Sequence, residues 1–414
     1  EELEDSPAKE LLLNGDINVL EELEVARISM ALWKEKNDGE YINIQSKKHL
    51  GEIVFKYMGI KAKSRTRKGQ DQFDMTMLEE LAKTYAWAEN LRIYNKLLKI
   101  KSTYVDRFRD RNEDGRYYFY FKQNGTVSGR YGSDAQQLLK PLEEGEDAPI
   151  IMKYVNIVRA FLTAGKGRKV IDSDYESLEP HCFASVTGDK KLQEIFANGY
   201  DFYSYVAIQT ENLEGVSADK KADNYLKKLD PVKRNKAKAY SLGVAYGMEA
   251  YALKMTLGVD QKTAEQLIKG YLDGFPQLKE WRENSRRQVK DHGYIKNYVG
   301  RIRHIPKVKR IYEKFGERIL DWRFRNQLSE QYGKDQVLKV YRDYRNGLNN
   351  CLNFQLQSLA ASVVNRAALQ INRKAKELGI DAIVQAQVHD QLIINIKEDQ
   401  AETFAPYVQS IMEN

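Results

Sequence analysis

Two aspartates, Asp174 and Asp390, lie in short motifs that make chemical sense only as a pair. Asp174 ends the apolar, β-branched run of VIDSDYESLEPH (170–181). Asp390 separates two apolar runs in IVQAQVHDQLIINI (383–396), a pattern that predicts a β-hairpin with the acid at its turn. Two such carboxylates can hold the divalent ions of a nucleotidyl transfer. Either aspartate alone would be a capping or turn residue, and only the pair favours metal binding.

A segment of helical length, RNKAKAYSLGVAYGM (234–248), lies between the two acids in the chain. Residues that recur every four positions share one slowly drifting face of such a helix: Arg234, Lys238, Leu242 and Tyr246. The two cations are nearer the N-terminal end, where the amides and the helix dipole favour anions. A triphosphate bound there would place its sugar and base alongside Leu242 and Tyr246. The alternative, a solvated amphipathic helix, explains the cations but not the Tyr-Gly-Met at the far end.

The elements that position these residues can be predicted in outline. The segment FQLQSLAASVVNRAALQINRKAKELG (354–379) predicts a long helix closed by Gly379, which leads into the hairpin of Asp390. Residues 188–350 are mostly helical in pattern, and their highly charged part (307–347) is interpreted as an elaboration of that helical region.

The three motifs, in this order, resemble those of the family A DNA polymerases, the bacterial DNA polymerase I type. The family motifs run roughly D-Y-S-x-x-E-x-R, then R-x-x-x-K-x-x-x-(F/Y)-G-x-x-Y-G, then V-H-D-E. The matching residues here are Asp174-Tyr175…Glu179, Arg234…Lys238…Leu242-Gly243…Tyr246-Gly247, and Val388-His389-Asp390-Gln391. Further similarity is found in TVSGRYGSD (126–134), INIQSKKHLGEIVFKYMGI (42–60) and LKIKSTY (98–104), so the resemblance runs from about residue 40 to the C-terminus.

The resemblance implies an α/β (α+β) right-hand polymerase fold with a palm sheet, helical fingers and a helical thumb. We expect an N-terminal helical segment over 1–40 and a thumb over 41–115. The palm is expected over 116–190 and 351–414, and the fingers over 191–350.

The resemblance also implies the residues of the reaction centre. Asp174, Asp390 and the backbone carbonyl of Tyr175 would hold two Mg²⁺ ions, which Mn²⁺ can replace. Arg234, Lys238, Leu242 and Tyr246 would bind the dNTP. Glu179, held by Tyr246, would act as the steric gate that excludes a ribose 2′-hydroxyl, although a plain surface glutamate is the alternative.

Contacts to DNA are implied at further positions. Arg130 would reach the minor groove at the primer terminus, and Asn353 and Gln357 the minor groove near the new base pair. His389 would position the primer end, or else be a turn histidine without a role. The basic loop KAKSRTRKGQ (61–70) would be the thumb tip. Its cations are predicted to grip duplex phosphates, with a solvated charge run as the alternative: Arg65, Arg67 and Lys68.

The sequence departs from the family pattern at several positions: Pro180, His181, Leu242, Asn349 and Gln391. None of them removes a metal ligand, but they bear on sugar discrimination, speed and fidelity and favour a divergent phage or viral lineage. Asp172 lies on the same face of its strand as Asp174, where the family has a small or neutral residue. We interpret Asp172 as structural or as supporting the metal ligands.

Composition sets wider limits. The 414 residues are 42% hydrophobic and 30% charged, and a net charge of +7 mildly favours a polyanionic partner. No apolar run has the length of a membrane span and the N-terminus is no signal peptide, so a cytoplasmic location without membrane contact is expected. Cys182 and Cys351 lack metal-ligand spacing and are expected to be reduced thiols.

The predicted function is template-directed DNA synthesis on a primer–template, with dNTPs as substrates and pyrophosphate as product. A proofreading exonuclease domain is not expected, because only about 40 residues precede the predicted thumb. Separately, the sequence ends at IMEN, where relatives continue with a further short palm segment. A separate exonuclease or processivity factor is left open. The alternatives are a phage-type single-subunit RNA polymerase, against which Glu179 argues, and a catalytically dead DNA-binding subunit, against which the retained acids and cations argue.

Overall fold

The structure is a computed structural model that describes residues 33–34, 42–62, 65, 69, 71–134, 142, 147–160 and 162–413. The predicted N-terminal helical segment therefore lies outside the described residues apart from Trp33 and Lys34, and so do Arg67 and Lys68 of the basic loop. Two compact units are present. One comprises the described residues up to Tyr118 and those from Leu138 to Leu162; the other comprises Phe119–Gln137 and everything from Thr163 onward.

The first unit is helical with one small hairpin. Its helices are α1 (Lys47–Glu52), α2 (Met75–Leu81), α3 (Ala86–Ile100), α4 (Asp106–Asp110) and α5 (Pro149–Ala160), with π-helical turns at Ile53–Tyr57 and Lys101–Val105. Strands β1 (Asn112–Glu113) and β2 (Arg116–Tyr117) pair antiparallel. Its apolar core is built around Val54, Phe73, Met77, Leu78 and Ala88.

The second unit contains a three-stranded antiparallel sheet in the order β5 (Arg168–Asp174), β9 (Gln391–Lys397), β8 (Ala382–Val388). Two short hairpins accompany it: β3 (Phe121–Lys122) with β4 (Gly132–Ser133), and β6 (Tyr294–Lys296) with β7 (Ile302–His304). Along β5 the side chains alternate as a strand with one buried face requires. Ile171 packs on the core while Asp172 and Asp174 are exposed.

Helices make up most of the rest of this unit. They are α6 (Leu178–Thr187), α7 (Lys190–Ala197), α8 (Phe202–Glu211), α9 (Leu226–Leu229), α10 (Pro231–Ala245), α11 (Ala250–Leu257), α12 (Gln261–Gly274), α13 (Pro276–His292), α14 (Pro306–Phe315), α15 (Trp322–Tyr332), α16 (Lys334–Glu377) and α17 (Ala401–Glu413). Short 3₁₀ turns lie at Gly316–Leu320 and Glu398–Gln400.

The long helix predicted over 354–379 is present but begins at Lys334, because α16 runs for 44 residues without a break. It ends as expected at Gly379, which has φ +65°. The Ile380 and Gly379 amides donate to the carbonyls of Ala375 and Lys376, which is a Schellman cap. The charged segment interpreted as an elaboration (307–347) is thus helical, and it comprises α14, α15 and the first turns of α16.

Two apolar clusters of this unit meet along α16. The larger one includes Phe183, Tyr240, Leu356, Leu392 and Phe404. The smaller one is formed mainly by Val289, Ile295, Val308, Tyr344, Leu348 and Phe354. Cys182 and Cys351 are buried free thiols, and burial raises the pKa of each to about 12.

Among the described helices, none is both long and apolar enough to cross a membrane. The boundaries proposed for thumb, palm and fingers stay a prediction, since the observed division is into two units.

Candidate active site and nucleotide-binding helix

The register of the sheet brings the two predicted acids together. Asp174, the last residue of β5, pairs with Gln391, the first residue of β9. Asp390 directly precedes Gln391 in the two-residue turn of the β8–β9 hairpin, as the sequence predicted. His389, the first residue of this turn, has φ +60°, whereas Asp390 does not have a positive φ. This combination resembles a type II′ turn, whose first position normally favours glycine.

The donor atoms at this end of the sheet suit a hard divalent cation. Carboxylate and carbonyl oxygens are the ligands that such ions prefer. Asp174 is exposed, Asp390 and Tyr175 are half-buried, and the Tyr175 carbonyl follows Asp174 in the chain. Within the described residues, no group of three or more His, Cys, Asp or Glu side chains is arranged to hold a metal ion, and the predicted donors here are two carboxylates and one carbonyl. The residues present therefore fit a divalent cation that is mostly coordinated by carboxylate, substrate and water.

Two of the departures from the family pattern contact each other. The Gln391 side-chain amide donates to Asp172 Oδ1 at 2.6 Å. The register places Asp172, Asp174 and Gln391 on the same exposed face of the sheet. An acid in place of Gln391 would face Asp172 and repel it, so the amide at 391 suits the extra acid at 172. The interpretation of Asp172 as a supporting residue stays a prediction.

The helix predicted at 234–248 is α10, and its ends have local causes. Asp230 caps its N-terminus by accepting from the Lys233 amide at 3.0 Å, and Pro231 occupies the first turn. The C-terminus closes with a Schellman cap, in which Gly247 has φ +98° and the Met248 amide donates to the Gly243 carbonyl at 2.8 Å. Tyr246 lies at this cap.

Arg234 and Lys238 differ in their surroundings although both lie on the predicted face of α10. The Arg234 guanidinium donates to both oxygens of Asp201, at 3.1 and 3.2 Å. Asp201 is 3% exposed, and it also caps α8 by accepting from Ser204. Burial acts to raise the pKa of Asp201, but the hydrogen bonds from Arg234 and Ser204 outweigh it and lower that pKa. Lys238 is exposed to solvent.

Tyr203 is a site residue that the sequence analysis missed. Its buried ring lies 4.8 Å from the Arg234 guanidinium carbon and 5.8 Å from Lys238 Nζ, so both cations contact its face. Burial is the main reason that the pKa of Tyr203 is raised to about 12, and the charge of Arg234 opposes the rise. The sequence offered one signal, Asp201 at a helix start two residues before Tyr203. That signal did not identify α10 as the helix that contacts Tyr203.

Glu179 accepts hydrogen bonds from two other predicted site residues. Tyr246 Oη donates to Glu179 Oε2 at 2.7 Å, and Arg130 Nη2 donates to Glu179 Oε1 at 2.7 Å. Burial and then the negative charge of Glu179 raise the pKa of Tyr246, so its hydroxyl remains a donor. Three predicted residues from separate motifs therefore meet at one carboxylate. Arg130, predicted at the primer terminus, is bound to Glu179 here.

The other predicted DNA-contacting residues lie on different elements. Asn353 and Gln357 are half-buried on α16, one helical turn apart, and Asn353 Oδ1 is buried without a hydrogen-bond partner among the described residues. His389 is exposed at the hairpin turn. Arg65 is also exposed and forms an ion pair with Asp71 at 3.1 Å.

The remaining departures have simple environments. Leu242 is half-buried and packs against the larger cluster. His181 stacks on Phe196 with ring centroids 3.8 Å apart, and burial lowers its pKa. Pro180 is buried in the first turn of α6. Asn349 accepts a hydrogen bond from Arg286 at 3.1 Å.

A small antiparallel sheet with two acids at one end, a cationic helix and a long supporting helix are together consistent with an α/β polymerase fold. The chain belongs to DNA polymerase family A, whose model matches residues 20–414. The fold class and the family expected from the sequence are confirmed.

Curated relatives are bacterial DNA polymerases I. The thermostable DNA polymerase I of Thermus filiformis is 26% identical over 379 residues, which cover 91% of this chain and 40% of that protein. DNA polymerase I of Pseudomonas aeruginosa is 25% identical over 408 residues, covering 97% and 39%. That of Bacillus subtilis is 26% identical over 381 residues, covering 91% and 38%. The chain thus spans about two fifths of the length of these relatives.

A solved structure has the same fold. The POL domain of Pol1 from M. smegmatis, in complex with DNA primer-template and dNTP, superposes with a TM-score of 0.72. At 23% identity the match covers 95% of this chain and 61% of that one. Polymerases of this family use divalent metal ions.

Proposed function

We propose that this chain is a DNA-directed DNA polymerase that extends a primer 3′-hydroxyl with dNTPs on a template and releases pyrophosphate. The observation that carries the proposal is the meeting of Asp174 and Asp390 at one end of the sheet, although they are far apart in the chain. The binding of primer–template DNA and dNTP by the M. smegmatis POL domain supports the substrate assignment.

Asp174, Asp390 and the Tyr175 carbonyl would hold two Mg²⁺ ions, for which Mn²⁺ can substitute. When bound, such ions activate the attacking oxygen and neutralise charge on the leaving pyrophosphate. The carboxylates must be ionised to bind them. Their place at a strand end and a two-residue hairpin turn keeps the two groups close without a flexible loop.

The cationic face of α10 would bind the triphosphate. Lys238 is exposed and is therefore the first candidate for direct contact. Arg234 already shares its charge with Asp201, which fixes its fork beside Tyr203. A triphosphate approaching Arg234 would add a second anion to a guanidinium that has further donors to offer. Leu242 and Tyr246, farther along the helix, would then lie beside the sugar and base.

The carboxylate of Glu179 would select the sugar. Both of its oxygens accept hydrogen bonds, from Tyr246 and Arg130, so the side chain cannot readily move aside. A ribose 2′-hydroxyl entering this space would displace a bound carboxylate, whereas a deoxyribose would not. This argument favours dNTPs over rNTPs and thus a DNA polymerase over the RNA polymerase alternative.

Further residues are proposed to hold the DNA. Arg130, Asn353, Gln357 and His389 would contact the primer end and the minor groove, and the basic loop with Arg65, Arg67 and Lys68 would contact duplex phosphates. Neutralising these three loop cations should make the salt dependence of DNA affinity shallower by about 0.9 for each phosphate that they bind. An unchanged slope would assign this loop to solvent.

Primer extension tests the proposal directly. The purified chain is mixed with a labelled primer–template, Mg²⁺ and either four dNTPs or four rNTPs. We expect template-dependent extension with dNTPs, little with rNTPs, and none after chelation of divalent ions. Absence of extension with intact DNA binding would instead support the catalytically dead alternative.

A further inference from the structure

Two arginines on α13, the buried Arg282 and the half-buried Arg286, have buried donor atoms that lack an acceptor among the described residues. Arg282 is only 9% exposed. The Nε and Nη1 atoms of Arg282 and the Nε atom of Arg286 are buried without a hydrogen-bond partner among the described residues. Arg286 Nη2 donates to Asn349 Oδ1 at 3.1 Å, which is a neutral acceptor. Arg282 therefore carries a positive charge into the protein beside the half-buried Arg286, and no carboxylate of the described residues lies within ion-pair distance of Arg282.

Such an arrangement is costly unless something else neutralises it. A buried guanidinium without a counterion is strongly destabilising, and a buried donor without an acceptor loses its full hydration. Burial, and then the neighbouring charge of Arg286, lower the pKa of Arg282 to about 10. At neutral pH the residue is still charged, so the site needs an anion rather than a lost proton. Unsatisfied buried donors of this kind mark a place for a ligand or ion.

Both arginines line one cavity. Its volume is about 410 Å³, and its walls come from the turn after α10 and from α12 and α13. Lys269 and Lys279 also contribute to the lining and are further cations. The volume exceeds that of a single oxyanion and is enough for a phosphate group with its water or with an attached sugar.

The acids that line the cavity number three, against four cations. Glu249 lines it but is paired with Arg345 at 2.8 Å. Glu265 lines it and accepts from Gln261 at 2.8 Å. Gln261 is neutral, so Glu265 and Asp273 both keep their charges, and these two acids cannot balance two arginines and two lysines. The net charge of the lining is positive, as a site for an anion requires.

We propose that this cavity is a binding site for a phosphate oxyanion, held by the guanidinium groups of Arg282 and Arg286. The planar fork of arginine matches the geometry of phosphate oxygens and donates two parallel hydrogen bonds. The oxyanion can be a backbone phosphate of a DNA strand or free inorganic phosphate, and both offer the same acceptors. This site is separate from the proposed triphosphate site on the face of α10, because its walls include neither Arg234 nor Lys238.

The position of the cavity links it to α10. A side chain at Gly247 would collide with Asn349 Oδ1 and Arg286 Nη2, so the backbone at the end of α10 rests directly against this pair. Tyr246, the neighbour of Gly247, holds Glu179. Binding of an oxyanion to Arg286 would thus fix the polar contacts beneath the turn that carries Tyr246.

Titration of inorganic phosphate into the protein without DNA tests the site. Thermal unfolding and isothermal calorimetry are measured in phosphate and in chloride at equal ionic strength, since specific binding stabilises the folded state. We expect phosphate to bind and to raise the Tm, and Arg282→Met to weaken that binding about tenfold or more. The matched control is Arg287→Gln, on the same helix but outside the cavity lining, where Arg287 donates to Asn284.

Two further variants keep the result interpretable. Lys238→Ala should leave the phosphate response that depends on Arg282 intact, which separates the cavity from the triphosphate site. If Arg282→Met does not fold, Arg282→Lys keeps the charge but loses the fork and should weaken phosphate binding several-fold. Equal phosphate binding by wild type and by the folded Arg282 variant would overturn the proposal, as would a response to phosphate no greater than to chloride.

The source of the phosphate is found with DNA. The salt dependence of binding is compared for a primer–template with a single-stranded 5′ overhang and for a blunt duplex. If Arg282→Met flattens the slope by about 0.7 on the overhang substrate alone, the site holds a single-strand phosphodiester. If both slopes are unchanged while inorganic phosphate binding is lost, the site holds free phosphate. Because phosphate binding is measured without catalysis, failure of this proposal and failure of the polymerase proposal give different results.

Discussion

The acidic end of the sheet and the cationic face of α10 are arranged differently, although both are proposed to handle the same nucleotide. Asp174 is exposed, and Asp390 lies in a turn one residue from the strand partner of Asp174. Arg234, by contrast, is only 14% exposed at its side chain and is already neutralised by Asp201. The acids are positioned by backbone pairing, whereas the first cation is positioned by another buried charge.

This difference indicates which changes will damage chemistry and which will damage folding. The strand register is set by backbone hydrogen bonds, so we expect neutralising either acid to lower stability less than removing Arg234 does. Arg234 and Asp201 stabilise each other, and removal of either one leaves a buried charge without a partner. Lys238, on the same face of α10, is the natural comparison for Arg234.

The largest effect is expected at the acids. Asp174→Asn or Asp390→Asn keeps the shape of the side chain but removes the charge that binds divalent ions. Primer extension should fall by at least about a hundredfold, in keeping with loss of metal-assisted catalysis. Single-turnover extension measures this, while fluorescence anisotropy with labelled primer–template should show nearly unchanged DNA affinity. Turnover above a few per cent of wild type in either variant would contradict the assignment.

The second-largest effect is expected at the two cations of α10, Lys238 and Arg234, whose removal should have different consequences for stability. Lys238→Ala should lower kcat/KM for dNTP about tenfold to a hundredfold, because one charge-assisted hydrogen bond to the triphosphate is removed, with little change in Tm. Arg234→Ala should lower kcat/KM and also destabilise the fold by about 3 kcal/mol, since Asp201 is left buried and unpaired. Urea unfolding and steady-state kinetics on both variants provide the comparison. Equal stability losses would show that the Asp201 ion pair is not what distinguishes them.

Sugar selection is expected to respond by about tenfold or more. Glu179→Ala removes the carboxylate held by Tyr246 and Arg130 and should raise rNTP incorporation relative to dNTP. Leu242→Tyr should separately relax discrimination against dideoxynucleotides, because Leu242 has neither the ring nor the hydroxyl of tyrosine. Competitive incorporation measures both ratios. If neither ratio moves, the proposed register of the first two motifs is wrong.

A smaller effect on stability is expected when the pH is lowered. The folded-state pKa of Asp201 is lowered, so the Asp201–Arg234 pair contributes stability at pH above the ordinary Asp value of about 4. That contribution is lost as pH falls through the folded-state pKa, below this value. Urea midpoints of wild type and Asp201→Asn should therefore differ most near neutral pH and converge as the pH falls below about 4. A difference that stays constant from about pH 7 to about pH 3 would rule out this linkage.

The smallest effect concerns the pair Asp172 and Gln391. Gln391→Glu replaces a donor by a third acid on the same face as Asp172 and Asp174, and should cost about 0.2–1 kcal/mol of stability. In the double variant with Asp172→Ser, the added acid no longer faces Asp172, so the stability should be recovered. A double-mutant cycle from urea unfolding measures the coupling. Additive effects would mean that the 2.6 Å hydrogen bond contributes nothing.

The contrast between residues positioned by local backbone structure and residues positioned by helix packing explains how much the sequence could predict. The strand ending at Asp174, the hairpin of Asp390 and the helix with Arg234 follow from local periodicity and capping, and all three are present. The Glu179–Tyr246 contact was reached through the family resemblance. The partner of Arg234, the role of Tyr203 and the burial of Arg282 depend on which helices pack together, and no local pattern encodes that choice. The start of α16 was placed too late because its N-terminal half is highly charged, although Val337, Tyr344 and Leu348 recur there at helical spacing and are buried where this half packs on α14 and α15.

The positive φ of His389 has a consequence for engineering. A side chain at φ +60° costs about 1–2 kcal/mol relative to an ordinary backbone conformation, and glycine would avoid this cost. A glycine at this position would also widen the range of turns open to the hairpin, and Asp390 is the next residue. Directed evolution for heat resistance alone would therefore favour glycine at position 389, whereas selection for turnover would favour the rigid turn. A glycine at position 389 is thus expected to raise thermostability and to lower turnover.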